Sequence, residues 1–151
     1  MTVRVRSDRR YQFAVPPDRL WARVSAVEEY RTWWPWLHQL DAAEFVTGAR
    51  WACVVQPPLP YALRFDLRLV EVEAPTLAVA RLDGDIVGEA RLDVTQVGDG
   101  AQARLVSDLA PGNRMLQAVA RLARPVARYG HDWVLDTGAR QFRQHALAPE
   151  P

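Results

Sequence analysis

From Asp41 to Leu109 the chain alternates apolar and polar residues with a period of two, and after Pro111-Gly112 it changes to a period of 3.6 that lasts to about His145. That switch constrains the fold more than any other feature. Side chains alternate across a strand and recur every three to four residues on a helix. The period-two part divides into Asp41–Thr47, Arg50–Gln56, Tyr61–Val72, Leu77–Leu82, Ile86–Val97 and Ala101–Leu109. Gly48, Pro57-Pro58, Pro75, Asp83-Gly84 and Gly98-Asp99-Gly100 separate them. Links this short join antiparallel neighbours, so the strands form a meander. Upstream, Tyr11, Phe13 and Val15 read as one further strand stopped by Pro16-Pro17. A helical pattern follows from Asp18, with Leu20, Trp21, Val24 and Val27 on one side. A second short helix runs from Glu28 to about Leu37 and is cut by Pro35.

Alternation also assigns faces. Leu63, Phe65, Leu67 and Leu69 oppose Arg64, Asp66 and Arg68; Ala90, Leu92 and Val94 oppose Glu89, Arg91 and Asp93; Ala103, Leu105, Ser107 and Leu109 oppose Gln102, Arg104 and Asp108. A sheet apolar on one face needs a cover. The last segment supplies it, from Asn113 to about His145, with Leu116, Val119, Ala123, Val126, Gly130, Val134 and Phe142 along one stripe. Roughly 30 helical residues reach about 45 Å, and Pro125 is expected to kink them. The expected fold class is α+β: a seven-stranded antiparallel sheet, two short helices and a long C-terminal helix, in one domain over residues 1–151 with a frayed tail at 146–151.

Composition excludes several functions. With 49% hydrophobic and 25% charged residues the chain suits a globular fold, and a net charge of +1 gives no basic face for nucleic acid. No apolar run is long enough to span a membrane, and the Arg-rich start lacks the apolar stretch of a secretory signal, so a cytoplasmic protein is expected. All basic side chains are arginine. Arg114, Arg121 and Arg128 recur every seven residues, which suggests at most weak association with an anionic membrane surface. A monomer or homodimer is expected. Cys53 is the single cysteine and reads as a small buried hydrophobe, and no His pair has metal-ligand spacing, so neither a metal nor a cofactor is expected.

The order of elements, together with Val27–Leu37 (VEEYRTWWPWL), Pro57–Phe65 (PPLPYALRF), Gly84–Gly88 (GDIVG) and Ala123–Val134 (ARPVARYGHDWV), resembles the START-like, birch-pollen-allergen-like helix-grip fold. More narrowly it resembles the polyketide cyclase/dehydrase and lipid transport (SRPBCC) branch, in its actinobacterial members. The resemblance implies a hydrophobic cavity between the sheet and the terminal helix, entered near the second helix. Small inward residues agree with it: Gly88, Ala90, Ala103, Ser107, Ala123 and Gly130 leave volume. The expected lining is Trp33, Trp36, Trp51, Phe65, Leu67, Gly88, Ala90, Ser107, Val119, Ala123, Gly130, His131 and Val134. Trp33, Trp34 and Trp36 read either as an aromatic rim or as anchors of the short helix. His131 reads either as a proton donor or acceptor at the wall or as a structural histidine holding the short helices. Asp132, one residue on, is expected to point elsewhere. Aromatase/cyclases of this superfamily use a pocket arginine, but alternation puts Arg64 on the outer face, and Asp85 reads as a turn residue. The expected partner is a hydrophobic small molecule such as a lipid, polyketide or isoprenoid, which is carried or, alternatively, cyclised or dehydrated in the cavity.

Overall fold

A computed structural model describes residues 4–147. The elements are β1 (Val5–Phe13), α1 (Pro17–Val24), a 3₁₀ turn (Val27–Glu29), α2 (Tyr30–Trp33), β2 (Leu37–Asp41), β3 (Arg50–Val55), β4 (Leu63–Glu73), β5 (Leu77–Gly84), β6 (Ile86–Val97), β7 (Gly100–Pro111), α3 (Arg114–Leu122) and α4 (Arg124–His145). The sheet has seven antiparallel strands in the order β1-β7-β6-β5-β4-β3-β2. The two short helices therefore carry the chain from one edge to the other, and the meander returns strand by strand until β7 meets β1. Register shifts between Leu37 and Gln39 and between Leu69 and Glu71 interrupt the ladders. Such bulges bend strands and help curve a sheet around its cover.

Local chemistry explains the punctuation. Pro17 opens α1 with a preset φ, and Asp18 and Arg23 complement the helix dipole at opposite ends. Gly98, at φ 58°, takes the left-handed position of the two-residue turn between Val97 and Gly100. Asn113 caps α3 by accepting from the Leu116 amide at 2.8 Å. Asp85 does more than fill a turn. Its carboxylate accepts from the Arg64 amide at 2.8 Å and from the Asn113 side chain at 3.0 Å, tying β4 to the start of α3.

Four expected boundaries change. The first strand begins at Val5 and stops at Phe13. Its inward Ser7 and Arg9 hid the alternation, while outward Asp8 pairs with Arg104 of β7 at 2.6 Å. The second short helix ends at Trp33, and the next strand is Leu37–Asp41 rather than Asp41–Thr47, so 42–49 wraps over the sheet edge as a loop. The strand expected from Tyr61 starts at Leu63, because the Gln56 amide donates to the carbonyls of Pro57, Leu59 and Tyr61 and holds that stretch as a loop.

The largest change is in the terminal helix. The expected kink is a full break at Ala123, at φ −138° and ψ 58°, so one helix over Asn113–His145 becomes α3 and α4. Pro125 cannot donate to the preceding turn and clashes with it, but it fits the first turn of a new helix. Both pieces still cover the same face of the sheet. Met115, Leu122, Val126 and Tyr129 are exposed around the break. The arginines of α4 are partly engaged: Arg128 donates to the Arg6 carbonyl at 3.1 Å and Arg143 to the Gln12 carbonyl at 2.6 Å, both on β1. Of the tail expected to fray, Ala146 is buried and its carbonyl accepts from Arg23 at 2.9 Å, while 148–151 lie outside the described residues.

The packed core occupies the end of the sheet covered by α1, α2 and the C-terminal half of α4. Leu20, Trp33, Phe13 and Phe142 are buried there. No helix among the described residues is long and apolar enough to cross a membrane.

Candidate ligand-binding cavity

At the other end of the sheet, α3 and the first half of α4 stand off the strands and leave a cavity of about 280 Å³. Leu63, Phe65 and Leu67 of β4, Leu82 of β5, Ile86 and Ala90 of β6, and Leu105, Ser107 and Leu109 of β7 form its floor. Leu116 and Val119 of α3 and Gly130, His131, Val134 and Leu135 of α4 form its roof, and Pro57, Leu59 and Tyr61 close one side. A second space of about 240 Å³ adjoins it and shares Leu105, Val134 and Leu135. Tyr11, Tyr30, Trp34, Trp36 and Phe142 line that second space.

Tyr61, Ser107 and His131 bring the only polar side chains to the wall of the larger cavity among the described residues. Ser107 is 5% exposed, and its Oγ lies 3.2 Å from His131 Nε2. His131 Nδ1 lies 3.3 Å from Asp132 Oδ1, and Asp132 in turn meets Arg9 of β1 at 3.0 Å. Tyr11 donates to Asp136 at 3.1 Å one turn further along α4. The expectation that Asp132 points away from His131 is therefore corrected. Consecutive helical residues diverge by about 100° at the backbone, yet the imidazole is long enough to lean back onto the short carboxylate. The histidine also does not hold the short helices. Its second partner is a strand hydroxyl.

Burial lowers the His131 pKa, and the Asp132 carboxylate offsets this only in part. For Asp132, burial pushes upward, but the hydrogen bonds from His131 and Arg9 outweigh it and hold the group below its ordinary value. The signs give separate windows. Folded His131 binds fewer protons than unfolded His131, whose pKa is near 6.5, so stability is complete above that pH and declines as pH falls below it. Asp132 costs stability only below its unfolded value of 3.8. Thermal midpoints measured from pH 8 to pH 5 are expected to fall more in the parent than in His131→Gln. Equal slopes would show that His131 is not desolvated.

The candidate residues separate into three groups. Phe65, Leu67, Ala90, Ser107, Val119, Gly130, His131 and Val134 converge on the larger cavity. Trp36, with Trp34, lines the adjoining space; the two rings stack at 5.6 Å, and their indole N–H groups donate to Gln141 and to the Gly138 carbonyl. Trp33, Trp51, Gly88 and Ala123 line neither. Trp33 is buried edge-on to Phe142, with the Arg23 guanidinium over its ring. Trp51 faces inward but is covered by Phe45 and Tyr30 and donates to the Glu44 carbonyl at 2.9 Å. Gly88, at φ 151°, lies so close to β7 that a Cβ would overlap the Asp108 carbonyl oxygen. Ala123 sits at the helix break. Gly130 leaves room, but the Leu59 side chain fills it: a Cβ there would come within 2.7 Å of Leu59 Cδ1. Leu59 and Tyr61 were missed because a proline-rich loop has no period to read.

Arg64 is exposed on the outer face. Cys53 is buried, and burial pushes its thiol up to about 12, away from thiolate chemistry. Among the described residues no group of three or more His, Cys, Asp or Glu side chains is placed to hold a metal ion.

The same architecture occurs in proteins of very different sequence. Norcoclaurine synthase from Thalictrum flavum, in complex with dopamine and hydroxybenzaldehyde, aligns with a TM-score of 0.66 at 13% identity, covering 95% of this chain and 89% of that one. Ara h 8.0201 aligns with a TM-score of 0.67 at 8% identity, covering 97% and 100%. The di-domain ARO/CYC BexL from the BE-7585A biosynthetic pathway aligns with a TM-score of 0.77 at 12% identity, covering 97% of this chain and 51% of that one. At these identities the likeness is one of fold. No curated protein matches the sequence at a significant level. The sequence profile described as "Polyketide cyclase / dehydrase and lipid transport" does match, over residues 4–146. A helix-grip fold with a profile match over almost its whole length places the chain in the polyketide cyclase / dehydrase and lipid transport family.

Proposed function

We propose that this protein binds a hydrophobic small molecule in the larger cavity and holds one neutral oxygen of it at Ser107 and His131. The observation that supports this is the wall itself: three polar side chains in a lining otherwise built of aliphatic and aromatic groups. Sites of this kind take affinity from apolar burial and orientation from a few polar contacts. Among the described residues no Asp, Glu, Lys or Arg side chain lines the cavity, and burial favours the neutral form of His131, which disfavours an ionic ligand. The adjoining space offers Trp34 and Trp36 to a longer ligand passing between Leu105 and Val134. A lipid, polyketide or isoprenoid-like molecule has the required character. The reading carries with it a cytoplasmic, cofactor-free and metal-free protein, monomeric or homodimeric, that touches anionic membranes weakly.

A polyketide cyclase or dehydratase is the second reading. The Ser107–His131 contact supports it, since a chain folded in the cavity would meet a group able to move a proton.

Ala90 lies on the cavity floor opposite His131's strand partner, paired in register with Ser107. Ala90→Leu is expected to fill the larger space and reduce ligand uptake at least tenfold, with a stability change within about 1–3 kcal/mol. Native mass spectrometry of protein purified from its own host reads the co-purified ligand directly. A variant that carries as much ligand as the parent would remove Ala90 from the site. A parent that carries none, and that takes up no apolar probe, would remove the function.

A further inference from the structure

We propose that Ser107 and His131 act as nucleophile and base, oriented by Asp132, and that the cavity hydrolyses an ester or thioester of an apolar acid through an acyl group carried on Ser107. This rests on the reading of the cavity as a site for a hydrophobic molecule and adds a reaction to it.

Both imidazole nitrogens are engaged, and in the order such chemistry needs. A proton on Nδ1 directed at the Asp132 carboxylate leaves the Nε2 lone pair facing the Ser107 hydroxyl. The hydroxyl lines the cavity, so an acyl carbon lying in the apolar space can reach it. Asp132 is itself held by Arg9 from β1 at 3.0 Å, which fixes the carboxylate beside the ring.

A second observation comes from the neighbouring strand. Ser7 Oγ is the one buried side-chain oxygen or nitrogen among the described residues that has no hydrogen-bond partner. It sits directly across from Ser107 in the β1–β7 register, where opposed side chains are about 5 Å apart. It belongs to the same inward face as Val5, which lines the cavity, and Arg9, which reaches Asp132. An unused buried donor lowers stability. Beside a nucleophile it is placed to donate to the oxyanion that forms when the hydroxyl attacks.

The step balances without any redox partner. Ser107 Oγ bonds to the acyl carbon and its proton passes to His131 Nε2. The bond from that carbon to the leaving oxygen or sulfur breaks, and the proton moves to the departing alcohol or thiol. Water then attacks the acyl-serine and gives its proton to His131. The bond to Ser107 breaks, the proton returns to Oγ, and a carboxylic acid leaves. The groups acting on the imidazole are Ser107 from β7, Arg9 from β1, and Arg128 and Asp132 from α4; Tyr61, from the loop before β4, lines the same cavity, and Asp136 of α4 meets Arg9. Burial keeps the ring neutral, as a base requires.

The test uses the full chain and a fluorophosphonate bearing an octyl group, read by intact mass and peptide mapping. One adduct on Ser107 with loss of fluoride is expected. Ser107→Ala should remove it, and His131→Gln should slow it about 100-fold. With p-nitrophenyl octanoate, Ser7→Ala should lower kcat with little change in KM. Asp132→Asn should move the acid limb of the rate profile to lower pH, because the imidazolium loses its carboxylate; a merely structural residue would leave that limb in place. Uptake of the uncharged dye N-phenyl-1-naphthylamine by the parent and by Ser107→Ala reports the cavity independently. Dye uptake without an adduct, or an adduct that forms equally fast in His131→Gln, overturns the proposed reaction and leaves the binding function standing. Absence of both dye and adduct overturns both.

Discussion

Phe142→Ala is expected to destabilise the protein by about 3–5 kcal/mol, the range for removing a buried aromatic ring from a packed core. For a chain of this size that corresponds to a fall in melting temperature of roughly 6–20 °C. Phe142 is the buried aromatic side chain through which the last turns of α4 pack into the core. Its ring meets Phe13 of β1 edge-on at 5.6 Å and Trp33 of α2 edge-on at 5.5 Å. It also borders the smaller of the two spaces, so truncation enlarges an existing void that its neighbours cannot close. Phe142→Leu should recover more than half of the loss. Urea unfolding of the three proteins measures this, and a loss below about 1 kcal/mol for the alanine variant would show that α4 is held elsewhere.

Gly88→Ala should be nearly as damaging, at about 3 kcal/mol, although it adds a single methyl group. Two costs combine: a backbone conformation at φ 151° that side chains resist, and overlap with the Asp108 carbonyl oxygen of the adjacent strand. Ala90, two residues along the same strand, faces open volume and should tolerate enlargement. The contrast separates a glycine needed for close strand approach from an alanine that borders a cavity. If Gly88→Ala keeps its stability and loses ligand instead, the two residues have the same role and β6 has been placed wrongly.

Much of the sheet was readable because one face is apolar and the other solvated. On β4, Leu63, Phe65 and Leu67 do face the cavity while Arg64 and Asp66 are exposed. Alternation fails where the inward positions of a strand are polar. Ser7 and Arg9 point inward from β1, so half of that strand read as polar and irregular. It also fails for Leu37–Asp41, where a bulge interrupts the pairing. Within the site, a period reveals which face a residue occupies but not which part of that face lies under which helix. Trp51 and Phe65 are both inward, yet the 42–49 loop covers one and the cavity exposes the other. The Ser107–His131–Asp132 contact is invisible to spacing, because it depends on a strand and a helix meeting and on an imidazole leaning across the backbone.

The two guanidinium groups that α4 lays on β1 have a consequence for solubility. β1 borders the sheet, and a border strand offers unpaired backbone groups to any other extended chain. The Arg6 and Gln12 carbonyls lie six residues apart, and each already accepts a hydrogen bond from an arginine of the helix. An incoming strand would have to displace both charged donors from these carbonyls. The arginines of the terminal helix thus occupy two acceptors on the β1 edge, so the helix that roofs the cavity also makes that edge a poorer template for another extended chain.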